Sequence, residues 1–429
     1  MRRLRKLLTG GGCALCFGLL VLLVAGADAQ EASSSFYVAN WNVENLFDTV
    51  ADPKNRNDDE FLPSNPDVRW TTQRLKTKLA HLSKVLCEMN NGRGPDVLGL
   101  EEVENPEIVL RLAEAMEPGR YGMAYGESPD FRGIDVALLF DRNRFTLENS
   151  KHVRVRLRRA VTRDILHATL VDEAGRHLHV LVNHWPSRGG GIFFTQTQRA
   201  AAAQTLRTLL EQIRRDDPAA AVLAMGDFND EPADASISRV LAARPVTLPI
   251  ADMDLRQDAF YNISIPAERR GEGSYVHVSR GRAERKMYDQ MMVTASLLRG
   301  DEWSWEEDSF GVISPKYMVE QSASNRGASI PTYENGRYLG GYSDHFPVGA
   351  RFVLRSAPAK AKTKSGAKAK SKAALRDLPP ASEPPEASPP ASVRKATPPP
   401  PSVRPDLLPP PVAPAPPSIE DDALAPVFW

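Results

Sequence analysis

The chain has 429 residues, which is enough for two average domains or for one large α/β domain with appended segments. Its 54 basic and 54 acidic residues balance, so net charge alone identifies no partner. Of the three cysteines, only Cys87 lies beyond residue 16, and a single cysteine cannot form an internal disulfide. A domain that depends on disulfide bonds is therefore excluded.

The first 29 residues have the layout of a secretory signal peptide. A basic start is followed by an apolar stretch, Cys13–Ala25, and then by an A-x-A cleavage site, Ala27–Ala29. The apolar stretch is shorter than the roughly 17–25 residues that a membrane-spanning helix needs. We predict a signal peptide over residues 1–29 and a secreted or periplasmic protein. An uncleaved membrane anchor is the alternative.

Apolar periodicity predicts strands and helices that alternate early, with strands dominating later. The predicted strands are 36–42, 96–103, 134–140, 153–158, 178–182, 219–224, 287–293 and 346–354. The predicted helices are 75–89, 106–116, 195–215 and 233–243. Asn105 and Pro106 are typical of an N-cap and a first helical position. We assign residues 30–356 to one α/β domain with a mixed sheet.

The composition changes after the last predicted strand. An Ala/Lys-rich segment leads into a Pro-rich one, and neither can bury enough apolar surface to offset the entropy of ordering. We predict a disordered tail over residues 357–429. This tail is expected to contact the cell envelope or another protein, and the protein is expected to be monomeric.

One predicted strand, 153–158, has a basic face, because arginines alternate strictly with apolar residues. Arg158 belongs to this face, and Arg159 follows it directly. Such a row matches the spaced phosphates of a polyanionic backbone. The predicted substrate-binding residues are Arg132, Arg154, Arg156, Arg163 and Arg188. The alternative is a solvated edge strand whose charges prevent pairing with another chain.

Polar side chains lie at the ends of five predicted strands. They are Asn42 with Glu44, Glu101 with Glu102, Asn183 with His184, Asp227 with Asn229, and Asp344 with His345. Asp289 adds a carboxylate inside a strand, where it needs a partner such as histidine. This set contains no cysteine and suits hard cations such as Mg²⁺ or Mn²⁺. It also supplies the groups that hydrolyse a phosphate ester. The alternative for the segment 225–232 is an ordinary acidic turn.

These polar residues belong to five sequence blocks that resemble one superfamily. The blocks are Trp41–Glu44, Leu98–Val103, Asn183–Pro186, Gly226–Asp230 and Ser343–His345. In this order they resemble the endonuclease/exonuclease/phosphatase superfamily, and in particular its exported bacterial members. The superfamily includes deoxyribonuclease I-like nucleases, apurinic-site endonucleases, sphingomyelinases and inositol-phosphate phosphatases. The resemblance implies an α/β (α+β) fold: a four-layer αββα sandwich of two mixed β-sheets flanked by helices.

The resemblance also implies a role for each site residue. The implied metal ligands are Asn42, Glu102 and Asp344, with Glu102 as the principal one. The implied catalytic residues are His184, Asp227, Asn229, Asp289 and His345. Asp227, helped by Asn229, would orient or deprotonate the attacking water. His345, oriented by Asp289, would stabilise the phosphoryl transition state, and His184 would contact the scissile phosphate.

Two residues depart from the family pattern. Glu101 stands where a glutamine commonly precedes the metal-binding glutamate, which leaves open which glutamate of the pair binds the metal. Gln290 follows Asp289 where the family often has histidine or an aromatic residue. The assignment of Asp289 is unchanged, although its motif becomes less specific.

From the sequence we predict an exported phosphodiesterase that depends on Mg²⁺ or Mn²⁺, with Ca²⁺ as a further alternative. An endonuclease acting on DNA or RNA is the preferred form. The alternative enzyme is a phosphatase or phosphodiesterase of a small or lipid phosphoester. The alternative of another class is a catalytically silent binding module. Retention of every polar position argues against the silent module, because buried polar groups are costly to keep.

Overall fold

The computed structural model describes residues 35–52, 58–158, 160–279, 282–300, 302–322 and 326–354. The predicted signal peptide at 1–29, Arg159 and the predicted tail at 357–429 lie outside these residues. None of the helices in the described part of the chain is both long enough and apolar enough to cross a membrane.

Seven strands form the first sheet. They are β1 (Ser35–Leu46), β2 (Val97–Val103), β3 (Tyr121–Gly126), β4 (Asp135–Asp141), β14 (Trp303–Trp305), β15 (Gly311–Val312) and β18 (Val348–Leu354). Their order is β14–β18–β1–β2–β4–β3, and β15 also pairs with β18. Because β1 and β2 are parallel and the other pairs are antiparallel, the sheet is mixed, as predicted.

Seven further strands form the second sheet. They are β5 (Phe145–Val153), β6 (Ile165–Asp172), β7 (His177–His184), β8 (Ala221–Asp227), β9 (Arg244–Pro245), β10 (Tyr261–Asn262) and β13 (Asp289–Val293). Their order is β5–β6–β7–β8–β13–β10–β9, with β7 and β8 parallel. Two hairpins stand apart: β11 (Tyr275–Ser279) with β12 (Arg282–Lys286), and β16 (Tyr333–Glu334) with β17 (Arg337–Tyr338).

The helices flank the two sheets. They are α1 (Thr72–Gly92), α2 (Pro106–Met116), α3 (Ile192–Asp216), α4 (Ile265–Arg269) and α5 (Ser296–Arg299), with a π-helical turn at Ser236–Leu241 and 3-10 turns at Asp58–Phe61, Ile250–Asp252 and Lys316–Met318. The central core contains the inner faces of both sheets. A second core joins α1 and α2 to the first sheet, and a third joins α3 to the second sheet. The predicted four-layer αββα sandwich is therefore confirmed.

Local signals predicted the long helices well. The Asn105 side chain accepts a hydrogen bond from the Ile108 amide at 2.9 Å, which is the predicted N-cap of α2. The helix predicted at 233–243 is only a π-helical turn, Ser236–Leu241. The longer strands β3, β5 and β6 were missed, as were the two hairpins and the short strands β9, β10, β14 and β15.

The basic strand predicted at 153–158 is wrong. β5 ends at Val153, which pairs with Ile165, the first residue of β6. No part of β6 remains to pair with residues 154–158, so they form an irregular connection. The arginines at 154, 156 and 158 are still exposed, but they do not share a strand face.

The two sheets bring their polar strand ends to one place. The parallel strands β1 and β2 end together in the first sheet, and the parallel strands β7 and β8 end together in the second. The hydrogen bond from Asn42 to Asp227, at 3.1 Å, joins these two edges. The antiparallel strands β4, β6, β13 and β18 begin there. We call this the site edge. The connections that leave it carry the predicted functional residues.

Candidate active site

Asp227 lies at the centre of the site, at the end of β8. The preceding Gly226 has φ +144°, and a Cβ at this position would lie 1.9 Å from the carbonyl oxygen of Asn183. Only glycine fits this close approach of β8 to β7. The Asp227 side chain is almost completely buried and accepts hydrogen bonds from the Asn229 amide at 2.8 Å and from Asn229 Nδ2 at 3.0 Å. Burial raises the pKa of Asp227 to about 6, against the opposing charge of His345.

Glu102 reaches the site because β2 is irregular at its end. The pairing of β2 with β4 shifts register between Glu101 and Val103, and Glu102 has φ +62°. A bulge of this kind redirects a side chain, and strained backbone is common at functional sites. Glu102 Oε2 accepts a hydrogen bond from the Asn45 amide at 3.0 Å, and Oε1 lies 3.3 Å from Asn42 Nδ2.

Asn42 connects the two carboxylates. Its Nδ2 donates to Glu102 Oε1 and, at 3.1 Å, to Asp227 Oδ2. Its Oδ1 accepts from the Glu44 amide at 3.1 Å. In this structure the amide nitrogen therefore faces the carboxylates. The role of Asn42 as a metal ligand stays a prediction and would use the amide oxygen.

Asp289 and His345 form the predicted pair. His345 Nδ1 donates to Asp289 Oδ2 at 2.7 Å, and both side chains are buried. His345 Nε2 lies 3.9 Å from Asp227 Oδ2, on the opposite side of the ring. Burial disfavours a charged imidazole, but Asp289, Asp227 and Asp344 together raise the pKa of His345 well above its usual range. The Tyr275 ring packs against His345 with a centroid distance of 4.9 Å.

His184 has the opposite character at the end of β7. Its Nε2 lies 3.7 Å from Asp227 Oδ2 and 3.8 Å from Glu102 Oε1. Burial lowers the pKa of His184 well below its usual range, and the charges of Arg163, Arg132 and His345 lower it further. The site therefore contains one charged and one neutral imidazole, with Nε2 of His345 3.9 Å and Nε2 of His184 3.7 Å from Asp227 Oδ2. The charged ring of His345 can donate a proton to a ligand, and the neutral ring of His184 can form a hydrogen bond with the same ligand without adding charge.

A buried lysine holds the segment that contains Asp344. Lys78 Nζ of α1 donates to the Tyr342 carbonyl at 2.7 Å and to the Thr332 hydroxyl. Glu44 lies 3.8 Å from this ammonium group. Burial raises the pKa of Glu44 to about 7 and lowers the pKa of Lys78, and each partner opposes the shift of the other. Burial also raises the pKa of Asp344.

The two residues that depart from the family pattern are both inside the protein. Glu101 is fully buried and accepts from Asn40 Nδ2 at 3.1 Å, whereas Glu102 faces the site. Burial and the charges of Asp289 and Asp227 raise the pKa of Glu101 well above its usual range. Gln290 points away from the site: it donates to the Asp230 carbonyl at 2.6 Å and accepts from Asn262 at 2.7 Å.

The donor set fits a divalent cation. The carboxylates of Asp227 and Asp289 lie within 4.8 Å of each other and of His345, whose protonated ring is not itself a ligand. Glu102 and Asp344 add carboxylates, and the charge of Glu102 helps to raise the pKa of Asp344. So many buried carboxylates in one place favour a bound cation, which would reduce their mutual repulsion. The predicted ligand set of Asn42, Glu102 and Asp344 stays a prediction.

The predicted substrate arginines differ in their surroundings. Arg163 is buried, with its Nη1 2.9 Å from Asp130 Oδ2 and its Nη2 2.8 Å from the Trp185 carbonyl. It therefore cannot continue an exposed row, and that part of the prediction is wrong. Arg188 donates to the Asn229 carbonyl at 2.8 Å and pairs with Asp230 at 2.8 Å. Arg132 is half-exposed beside Asp130.

Sequence reasoning missed Lys78, Arg199 and Asp130. Arg199 is fully buried in α3 and pairs with Asp230 at 2.7 Å. Lys78 and Arg199 each interrupt the apolar stripe of a helix, a signal that was present in the sequence. Asp130 lies in an irregular connection, where nothing in the sequence marks it.

A comparison with protein-family models identifies the family of this chain. A family model described as "Endonuclease/Exonuclease/phosphatase family" matches residues 37–353. Among solved structures, truncated Caenorhabditis elegans TDP2 is 15% identical, over 74% of this chain and 98% of that one, with a TM-score of 0.45. The human Nocturnin catalytic domain is 18% identical, over 75% and 94%, with a TM-score of 0.43. A Bacteroides thetaiotaomicron mannosyl-6-phosphatase is 13% identical, over 74% and 99%, with a TM-score of 0.45. A search of curated proteins found no significant match.

Proposed function

Because the chain belongs to the endonuclease/exonuclease/phosphatase family, whose members hydrolyse phosphoesters, we propose that it is a divalent-metal-dependent phosphodiesterase acting on nucleic acid. One observation carries the proposal: Asp227, Asp289 and His345 converge within 4.8 Å at the site edge. The Asp289–His345 pair supplies a cationic donor, and Asp227 supplies a carboxylate base facing it.

The chain's own residues can perform the proton transfers. Asp227 accepts the proton of the attacking water, while hydrogen bonds from Asn229 fix the orientation of its carboxylate. His345 donates from Nε2 to a phosphoryl oxygen, because Asp289 holds Nδ1 and favours the protonated ring. Neutral His184 contacts the same phosphate without adding charge. Burial of all these groups strengthens their electrostatic effects.

A divalent metal, Mg²⁺ or Mn²⁺, would supply charge neutralisation at the phosphoryl oxygens when bound. Glu102 is the residue best suited to hold it, because its carboxylate is partly exposed at the site edge and lies beside Asn42. Asp344 would add a second carboxylate.

The choice of nucleic acid as substrate is supported by exposed arginines. Arg154, Arg156 and Arg158 lie in the connection between β5 and β6, which returns to the site edge. Arg132 lies in the connection between β3 and β4 and lowers the pKa of His184. Several cations around one site suit a ligand with several phosphates. A small or lipid phosphoester is the second candidate, since only one phosphate is needed at the catalytic centre.

We also propose that the protein is exported, on the basis of the signal sequence at residues 1–29. Fractionation of cells that express the full chain tests this point, and sequencing the mature N-terminus tests cleavage after Ala29. A mature chain that begins at Met1 in the membrane fraction would support the uncleaved anchor.

A substrate panel tests the activity. The full chain is incubated with DNA, RNA, a phospholipid and a sugar phosphate, with Mg²⁺, Mn²⁺ and Ca²⁺ in turn. We expect hydrolysis of DNA or RNA with Mg²⁺ or Mn²⁺ and none in excess chelator. Hydrolysis of only the phospholipid or the sugar phosphate would favour the second candidate. Asp216→Asn, which removes an exposed carboxylate at the end of α3, is the control for the active-site variants below.

A further inference from the structure

Exposed apolar side chains gather in the connections at the site edge. Eight large apolar side chains are exposed in the part of the chain that the structure describes. Five of them lie in three connections that meet the site edge: Phe131, Val161, Ile192, Phe193 and Phe194. Phe193 and Phe194 are each 79% exposed, and Phe131 is 64% exposed. Apolar groups so open to water at one edge indicate a binding surface.

Hydrogen bonds join the three connections beside His184. Arg163, two residues after Val161, donates to Asp130, which directly precedes Phe131. The same guanidinium donates to the carbonyl of Trp185, which follows His184. In the third connection Arg199 donates to the carbonyls of Pro186 and Ser187. The exposed rings are therefore carried on segments that are anchored to the active site.

Cationic side chains lie in the same connections. Arg132 directly follows Phe131, and its side chain is 42% exposed. Arg154, Arg156 and Arg158 are exposed in the connection that contains Val161. Exposed aromatic rings and exposed cations thus lie in the connections that meet a site that we assign to phosphodiester hydrolysis. A ligand that matches this surface must offer both negative charge and flat apolar faces.

We propose that Phe131, Phe193 and Phe194 form an aromatic rim that stacks on unpaired bases, so that the preferred substrate is single-stranded nucleic acid. This inference rests on the proposed function. Each base of a single strand has a π-face that an aromatic side chain can cover, while the backbone phosphates meet the arginines. In a duplex the base faces are already stacked inside the helix, so the rim cannot reach them.

A lipid surface is the other ligand that exposed apolar groups can bind, and Val161 and Ile192 would insert into one. The presence of exposed arginines in the same connections as the exposed rings favours the nucleic acid, because its strand offers both phosphates and base faces. A lipid headgroup offers a phosphate but no aromatic face. A membrane is therefore an outcome to be tested against the proposal.

Binding of three oligonucleotides tests the rim. A fluorescently labelled 12-mer of thymidine, an abasic 12-mer with the same number of phosphates, and a 12-base-pair duplex are titrated with the full chain in excess chelator, which prevents cleavage. The aromatic rim should make the thymidine strand bind about 5- to 150-fold more tightly than the abasic strand for each stacked base. The duplex should bind no more tightly than the abasic strand.

Two double variants identify the contribution of the rings. F193A/F194A and F193L/F194L should both reduce the preference for the thymidine strand to the part that Phe131 supports, because leucine keeps apolar area but has no π-face. Binding of the abasic strand should change little in either variant. Leu110→Ala is the matched control, since Leu110 is exposed on α2 and does not lie in the three connections. It should keep the wild-type preference.

Three results would overturn the inference. One is equal binding of the thymidine and abasic strands by the wild type. Another is a full preference retained by F193L/F194L. The third is binding to phosphatidylglycerol vesicles that F193A/F194A loses and F193L/F194L keeps. Hydrolysis of bis(p-nitrophenyl) phosphate by the wild type tests the proposed function separately. If this diester is cleaved while base preference is absent, only the inference on the rim fails.

Discussion

Two buried polar clusters of this protein contain histidine, and their neighbours give the imidazoles opposite properties. In the active-site cluster, His345 Nδ1 lies 2.7 Å from Asp289 Oδ2. In the second sheet, His167 Nε2 of β6 lies 3.0 Å from His179 Nδ1 of β7. Both clusters pair side chains across elements, but only the first contains carboxylates in contact with the ring.

The difference is visible in the pKa values. Burial and the charge of His179 lower the pKa of His167 to about 3. Burial acts on His345 in the same direction, but Asp289, Asp227 and Asp344 outweigh it and raise the pKa. Burial by itself therefore favours a neutral imidazole, and only strand-end carboxylates reverse this. The His345 cluster is suited to catalysis, whereas the His167–His179 pair is structural.

The largest effect is expected from Asp227→Asn. The amide keeps the shape and the burial of the side chain but cannot accept the water proton, so kcat should fall by about 100-fold or more. Chelator should abolish wild-type activity. The protein should nevertheless stay folded in chelator and still show a cooperative thermal unfolding transition. Steady-state kinetics with Asp216→Asn as control measure the first effect. Full activity in excess chelator would contradict the metal assignment.

Asp289 and His345 should act as a unit. Asp289→Asn removes the charge that keeps His345 protonated, and His345→Ala removes the donor itself. Because both changes affect one interaction, their losses in log kcat should be non-additive, with a coupling of about 1–2 kcal/mol. The same cycle with His167→Gln and His179→Gln should leave kcat unchanged. Additive losses for the first pair would show that they are not partners in catalysis.

His167 should contribute to acid sensitivity rather than to catalysis. Its pKa is about 3 in the folded protein and about 6.5 when unfolded, so the unfolded chain binds the proton first as pH falls. The contribution of neutral His167 to the free energy of unfolding is fully present above pH 6.5. It is lost at up to about 1.4 kcal/mol per pH unit as the pH falls from 6.5 to 3. His167→Gln keeps a donor toward His179 and should reduce that slope in denaturant titrations. His177→Gln, at an exposed residue of β7, is the control, and an unchanged slope in His167→Gln would contradict the prediction.

The smallest effect is expected from the exposed arginines. Replacing Arg154, Arg156 and Arg158 together by Gln should flatten the log–log salt dependence of nucleic-acid binding by about 0.7–0.9 for each phosphate that is no longer neutralised. The control is the triple variant R142Q/R215Q/R244Q, which removes the same charge from exposed residues near the edge of the sheets opposite the site edge. It should leave the salt slope unchanged. A wild-type slope in the first variant would favour a small phosphoester substrate. Arg154 already pairs with Asp164 at 3.1 Å, so we expect the three arginines to neutralise fewer than three phosphates.

The sequence by itself determined the features that depend on neighbouring residues. Helical periodicity marked α1 and α3, and the N-cap at Asn105 marked the start of α2. Polar residues directly after apolar runs identified the strand ends, including Asp227 and Glu102. These signals are local because capping, turns and alternation act within a few residues.

Only the tertiary structure decided which polar residues are buried and which strands pair. The arginine-rich segment 154–158 alternates like a strand, yet it is irregular because β6 begins opposite Val153. Lys78 is buried because it bonds to Thr332, 254 residues away, and Arg163 because it bonds to Asp130 and Trp185. A charged side chain stays inside only where distant partners satisfy it. Such partners are set by how the two sheets meet, which local periodicity does not encode.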